Sequence, residues 1–130
     1  MILCLWAARL GRGQQMQYEL NTLPQFDSTV VAVALGQDHT LAITKAGEVL
    51  SWGLNRFSQL GYVVETTSGK FDEPIQATPK KILNPLRKEF IIGVAACKTA
   101  SACWTEEDVY TWGTNHGQLG EPWLSFVGFL

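Results

Sequence analysis

Residues 48–61 read Glu48-Val-Leu-Ser-Trp-Gly-Leu-Asn-Arg-Phe-Ser-Gln-Leu-Gly61, and residues 108–120 read Asp108-Val-Tyr-Thr-Trp-Gly-Thr-Asn-His-Gly-Gln-Leu-Gly120. Set one above the other, Val49 meets Val109, Trp52 meets Trp112, Gly53 meets Gly113 and Asn55 meets Asn115, all at an offset of 60. One deletion further on, Gln59, Leu60 and Gly61 meet Gln118, Leu119 and Gly120 at an offset of 59. Upstream, Val33, Ala34 and Thr44 meet Val94, Ala95 and Thr105 at an offset of 61. Loops tolerate changes of length, so a pattern that keeps register across two short deletions in turn-like positions is an internal repeat. A third, damaged copy shows at Leu10-Gly11, 50 residues before Leu60-Gly61, with Trp6 ahead of it but no Trp-Gly pair.

Within each copy the hydrophobic period is that of strands. Thr29 to Leu35 and Phe90 to Ala96 are short β-branched runs, ended by Gly36 and by Cys97-Lys98. Thr40 to Thr44 and Ala100 to Thr105 follow as second strands, and Glu48 to Trp52 and Asp108 to Trp112 alternate as third strands. Lys45-Ala-Gly47 forms a tight hairpin turn, with Gly47 free to take positive φ, and Glu106-Glu107 does the same one residue shorter. Outer strands are expected near Gln17 to Thr22 and Thr78 to Leu83, and no amphipathic helix carries both a start and a stop signal. Four short antiparallel strands in a repeated unit of about 50–60 residues are the pattern of a propeller blade, in an all-β fold. The chain divides into a remnant of a preceding repeat (1–27), a first repeat core (28–61), a variable loop with an outer strand (62–89), a second repeat core (90–120) and an off-pattern apolar tail (121–130).

Composition narrows the function classes. At 46% hydrophobic and 17% charged, the 130 residues need a buried core. A net charge of -2 gives no surface for coating phosphates. The densest basic cluster (Lys80, Lys81, Arg87, Lys88) is flanked by Asp72, Glu73 and Glu89 and reads as a solvated loop. Cys4, Cys97 and Cys103 have neither zinc-ligand spacing nor a disulfide framework. The even separation of Cys97 and Cys103 puts both on one strand face, as reduced thiols of a cytoplasmic or nuclear protein. The apolar start Met1 to Ala8 lacks a basic flank and reads as a broken strand rather than a signal peptide. No stretch approaches the ~20 apolar residues of a membrane span.

The two quoted segments resemble the signature of the regulator of chromosome condensation repeat family: aliphatic, aromatic, Gly, any residue, Asn, a short turn, then Gln-Leu-Gly. His39-Thr-Leu-Ala is similar to the family's His-Thr-Leu segment, at the expected distance ahead. The resemblance implies a seven-bladed propeller, of which two repeats and a remnant are less than half a ring. Within the family, Ile91-Ile-Gly-Val-Ala-Ala, Trp104-Thr105 and Asp108-Val-Tyr-Thr look most like the subgroup of the inhibitor of Bruton tyrosine kinase, whose members are adaptors for cullin-type ubiquitin ligases. Two departures stand out: Cys97 replaces Gly36, and Ala100 replaces His39. The tail Glu121 to Leu130 also leaves the pattern, and both ends read as cut or misread.

The singled-out residues have structural readings. Gly53 and Gly113 each follow a Trp at a strand end, where positive φ or a close approach excludes a Cβ. Asn55 and Asn115 suit a left-handed turn position that Gly61 and Gly120 close. No helix start or Lys accompanies these glycines, so they do not cradle phosphate. Trp52 and Trp112 pack between blades rather than serving as a stacking platform, and Trp104 joins the core. His39 lacks an acid or nucleophile on its own strand face and reads as a buried imidazole bonded to backbone, with His116 in a turn. Hence no catalytic, cofactor-binding or metal-ligating residue is assigned, and no cofactor. The loop from Tyr62 to Pro79 is the candidate partner-binding rim, through Glu65, Lys70, Asp72 and Glu73. The leading expectation is a non-catalytic, adaptor-type scaffold with a protein partner and neither nucleic acid nor membrane. Guanine-nucleotide exchange on the small GTPase Ran, implied by the family's founding member, is the alternative; a truncated product without a function of its own is another. Open blade faces at both ends favour self-association or aggregation.

Overall fold

A computed structural model describes residues 23, 26–66, 73–116 and 126–127. Two four-stranded antiparallel sheets account for them, each strand pairing with the next in sequence. The first holds β1 (Val30–Leu35), β2 (His39–Thr44), β3 (Val49–Leu54) and β4 (Ile75–Lys81). The second holds β5 (Gly93–Ala96), β6 (Ala100–Trp104), β7 (Val109–Thr114) and β8 (Phe126–Val127). A single 3-10 turn, Leu86–Lys88, precedes the second sheet, and no α-helix occurs among the described residues. Among them no helix is long and apolar enough to cross a membrane.

The register proves the repeat. Trp52 lies opposite Thr40 and Gly53 opposite His39, while Trp112 lies opposite Ser101 and Gly113 opposite Ala100. The two indoles therefore occupy the same place in successive blades and point the same way. Trp112 enters the core between the blades, with Leu41, Ile43 and Val49 of the first and Cys103, Val94 and Ala96 of the second. Trp52 points off the far face of the first blade, packed with Ala42 and Leu50 beneath Leu23, Phe26 and Val30. Phe26 meets it edge-on at 6.1 Å between centroids. Alternate positions of β2 and β3 thus serve opposite faces, and both strands are buried throughout because each face has a cover.

Two glycines let β3 and β7 pass close to the turns that precede β2 and β6. Gly53 and Gly113 have φ of +109° and +104°. A Cβ on either would come within 2.4 Å of a carbonyl oxygen, that of Asp38 or of Thr99. Those same carbonyls accept the amides of Leu54 at 2.8 Å and Thr114 at 3.0 Å, so the close approach is itself hydrogen-bonded.

Several expectations are corrected. The outer strand runs Ile75–Lys81 rather than from Thr78 to Leu83, so it begins inside the expected loop. Pro79 lies within both ranges, although proline cannot donate to a ladder. The strand accommodates it in a bulge, because Ser51 pairs with Lys80 while Gly53 pairs with Gln76. Asn55 is not left-handed; Ser58 (φ 58°) and Gly61 (φ 78°) take those positions. Cys97 and Cys103 do not share a face, because a turn separates their strands and returns the chain: Cys97 is exposed and Cys103 buried. The remnant's Trp6, Leu10 and Gly11, the strand near Gln17 to Thr22, and Asn115's partners Gln118 and Gly120 lie outside the described residues.

Replacing Gly53 or Gly113 by Ala is expected to destabilise the fold by about 1 kcal/mol or more, through both φ and the carbonyl contact. Urea midpoints measure it, and two unchanged midpoints would contradict the turn geometry.

Candidate functional site

The polar residues of the repeat signature converge on one place, the turn after β3 and its seat on the second blade. Asn55 builds the turn. Its Oδ1 accepts the Leu60 amide at 2.9 Å, and its Nδ2 donates to the Tyr62 carbonyl at 2.7 Å. Its own amide donates to the Pro74 carbonyl at 2.8 Å, tying the turn to the approach to β4. The Gln59 side chain accepts the Phe57 amide at 2.8 Å, and the Ser51 hydroxyl donates to the Leu60 carbonyl at 2.7 Å. Tyr62 closes the set by donating its phenol to the Ser51 carbonyl at 2.8 Å.

With its side chain turned inward, Gln59 presents its main-chain carbonyl to the second blade. That oxygen accepts the Trp112 indole N–H at 2.9 Å and the Ser101 hydroxyl at 2.8 Å. His39 Nε2 lies 2.8 Å from the same Ser101 Oγ. Ser101 has one proton, given to Gln59, so its oxygen accepts from His39 and the imidazole carries its proton on Nε2. Gln59, His39, Ser101 and Trp112 are all buried. Each net bond contributes about 1 kcal/mol, but leaving one partner unpaired there costs more, about 1–3 kcal/mol.

A serine beside a histidine invites a catalytic reading, and the proton directions refuse it. An activated nucleophile gives its proton to the imidazole, whereas Ser101 gives its proton to a carbonyl and receives one from His39. His39 is thus buried as expected, but its Nε2 bonds a hydroxyl of the next blade rather than backbone. Among the described residues no group of three or more His, Cys, Asp or Glu is placed to hold a metal ion.

The same geometry explains the two departures of the second repeat. A Cβ on Gly36 would sit 2.1 Å from the His39 ring and 2.6 Å from the Cys97 carbonyl, so His39 demands glycine there. In the second blade Ala100 stands where the imidazole would be, and a side chain is admitted at Cys97. Ala100 thus removes the nearer of the two obstacles to a side chain at that position.

The remaining candidates scatter. Glu65 is exposed on the loop after the turn. Glu73 is paired with Arg56, whose Nε donates to Oε2 at 3.0 Å, so it anchors the returning end of the loop. Lys70 and Asp72 lie outside the described residues. Lys80 places its ammonium 4.8 Å from the centroid of Tyr62, and Lys81 bonds Glu48 at 2.9 Å and Asp27 at 3.3 Å. Hydrogen bonds to these two carboxylates hold the Lys81 ammonium above its ordinary range. Burial pushes the Tyr62 phenol up, and pushes the Cys103 thiol up to about 12. Trp104, expected in the core, is half-buried and lies over Gly93, a site with no side chain to compete. Sequence reading missed Ser51 and Ser101. The available signal was the small hydroxyl residue opposite each signature Trp, Thr40 and Ser101.

Blades of this register, latched through a Trp-Gly and Gln-Leu-Gly signature, define a repeat propeller of known type. The "Regulator of chromosome condensation (RCC1) repeat" profile matches residues 30–59, and a second profile of that description matches 46–104. The chain belongs to this family. It is 39% identical over 112 residues to the BTB/POZ domain-containing protein 1 of Schizosaccharomyces pombe, covering 86% of the chain and 8% of that protein. It is 43% identical over 88 residues to the human inhibitor of Bruton tyrosine kinase, covering 68% of the chain and 6% of that protein. Among solved structures, human WBSCR16 aligns with a TM-score of 0.68 and 26% identity, over 83% of this chain and 27% of that one. The chain thus spans under a tenth of the two curated relatives.

Three outcomes are expected. Trp112→Phe keeps an aromatic ring but removes the N–H to Gln59, and should cost about 1–3 kcal/mol in chemical denaturation; wild-type stability would show the latch to be idle. At pH 8, iodoacetamide should modify Cys97 and spare Cys103 in the folded chain, read by peptide mass mapping, with both labelled in urea. The raised thiol and phenol also set the direction with pH. They stay protonated when folded but ionise when unfolded, so stability is full below pH about 9 and falls as pH rises above it.

Proposed function

We propose that the chain is a section of a protein-interaction propeller in an adaptor, its blades a rigid frame and its rim loop the contact with another protein. One observation supports this reading: the signature's polar groups are taken up by the frame, Asn55 and the Gln59 side chain in building the turn, and the Gln59 carbonyl, Trp112, Ser101 and His39 in joining blade to blade. Chemical variety is left to the segment between Tyr62 and Pro74, which leaves and rejoins the frame at fixed points. Asn55 holds the first end through the Tyr62 carbonyl and the last through the Pro74 carbonyl. A loop held at both ends on rigid strands presents side chains at a low entropic cost of ordering.

Glu65, Lys70, Asp72 and Glu73 form the proposed contact set, with Arg56 positioning Glu73. Two relatives support an adaptor setting by their names, one a BTB/POZ domain-containing protein and one an inhibitor of a kinase. Cytoplasm or nucleus is the proposed compartment.

The test exchanges charges on the loop in the full-length parent, Glu65→Lys with Lys70→Glu, followed by quantitative affinity capture. A loss of several-fold in at least one partner, at unchanged melting temperature, is the expected result; an unchanged partner set would overturn the loop assignment. A nucleotide-release assay with Ran runs in parallel. Release no faster than background is expected, and acceleration would favour exchange activity instead.

A further inference from the structure

We propose that Thr78 is a phosphorylation site for a proline-directed serine/threonine kinase, and that Lys80 holds the phosphate once it is made. The segment Thr78-Pro79-Lys80-Lys81 sets a hydroxyl directly before a proline, with a cation three residues on. Of the five prolines in the chain, only Pro79 follows a serine or threonine. Each part of the pattern has a physical reader in a kinase cleft. An imide nitrogen fits an apolar pocket that offers no acceptor to an amide hydrogen, and the cation pairs with an anion beside the cleft.

The fold presents this segment in the extended form that such a cleft takes. β4 is the edge of its sheet, hydrogen-bonded to β3 on one side. In a propeller the outermost edge points away from the axis and from the adjacent blades, so its access does not depend on them. Within β4, Lys80 pairs with Ser51 and Gln76 with Gly53. Ala77, Thr78 and Pro79 therefore bulge opposite Trp52 with no partner in the β3 register. Drawing a bulge into a cleft sacrifices few ladder bonds, and Pro79 has no amide to lose.

Thr78 is half-buried, and its hydroxyl is poised to react. Its Oγ1 accepts the Gln76 side-chain amide at 3.2 Å, while the same amide reaches the Thr78 carbonyl at 3.0 Å. The hydroxyl proton goes to no acceptor among the described residues, unlike those of Ser51 and Ser101, which are given to carbonyls. In the transfer, Oγ1 bonds to the γ-phosphorus of ATP and the bond from that phosphorus to the bridging oxygen breaks. ADP leaves, and the hydroxyl proton passes to the kinase's base.

The surroundings favour the product. Phosphothreonine carries a charge of about −1.5 to −2 at neutral pH. Lys81 is already bonded to Glu48 and Asp27, and Arg56 to Glu73. Lys80 is exposed and makes no salt bridge among the described residues; its ammonium rests 4.8 Å from the Tyr62 ring centroid. Moving from that ring to the phosphate exchanges a cation–π contact for a charge-assisted hydrogen bond. Gln76 is a second donor, already aimed at the oxygen that would carry the phosphate.

Kinase treatment of the native full-length parent tests this, with a cyclin-dependent kinase–cyclin complex and ATP as the probe and peptide mass mapping as the readout. Thr78 should be phosphorylated in wild type and in Thr78→Ser, and the signal should vanish in Thr78→Ala. Pro79→Ala should slow phosphorylation of Thr78 at least tenfold. Lys80→Ala keeps the acceptor, Pro79 and Lys81, so it should be phosphorylated as wild type. A broad-specificity phosphatase should then strip it several-fold faster. Melting curves check each variant, with Pro79→Val and Lys80→Met replacing any that unfolds. An unmodified Thr78 in wild type, or wild-type phosphorylation of Pro79→Ala, would overturn the site. Equal dephosphorylation with and without Lys80 would overturn the phosphate contact.

Discussion

Within the apolar core between the two blades, their register is fixed at one carbonyl oxygen, that of Gln59, which takes protons from an indole and a hydroxyl of the next repeat. Sheets packed face to face on apolar side chains alone have many nearly equivalent offsets. A buried acceptor has few, because its hydrogen bonds fail steeply with distance and angle. The turn that carries Gln59 must therefore be rigid, and the bonds of Asn55, Ser51 and Tyr62 make it so. The signature is a contiguous string because it encodes both halves of one joint. Trp112 reaches back to the preceding repeat, and Gln59 reaches forward to the following one.

The joint also explains where the repeats differ. His39 reaches the joint only through Ser101, and its ring occupies the volume over Gly36. Where the second repeat has Ala100, that ring is gone and Cys97 stands in place of the glycine. A departure from pattern that looks like decay in sequence leaves room in space, since the ring that crowds Gly36 has no counterpart at Ala100. Cys103 behaves differently from Cys97 for a similarly local reason. It lies in the apolar layer between blades, where burial disfavours the thiolate, while Cys97 sits exposed at a strand end.

Among the described residues the recurring Gln and Trp of the signature meet across the joint, and the segment after Tyr62 is tied back to the frame at the Pro74 carbonyl. Arg56 and Glu73 extend this tie, since a residue on the variable loop is recruited to fasten that loop's end.

Periodicity, the repeat offset and the Trp-Gly spacing by themselves determined the strand order, the inner three strands of each blade, the positive φ of Gly53 and Gly113, and the family. These features are local or recur at fixed intervals, so a linear reading finds them. The start of the outer strand was missed because the bulge of Ala77 to Pro79 opposite Trp52 shows only in the pairing with β3. Asn55 was assigned to the wrong task because its side-chain bonds reach residues several places on, and Ser58 takes the left-handed geometry instead. Ser101 as the meeting point of His39 and Gln59 was decided by tertiary structure alone. The three residues come from a strand, a turn and a neighbouring blade, and hydrogen bonding across 62 and 42 residues of chain has no linear signature.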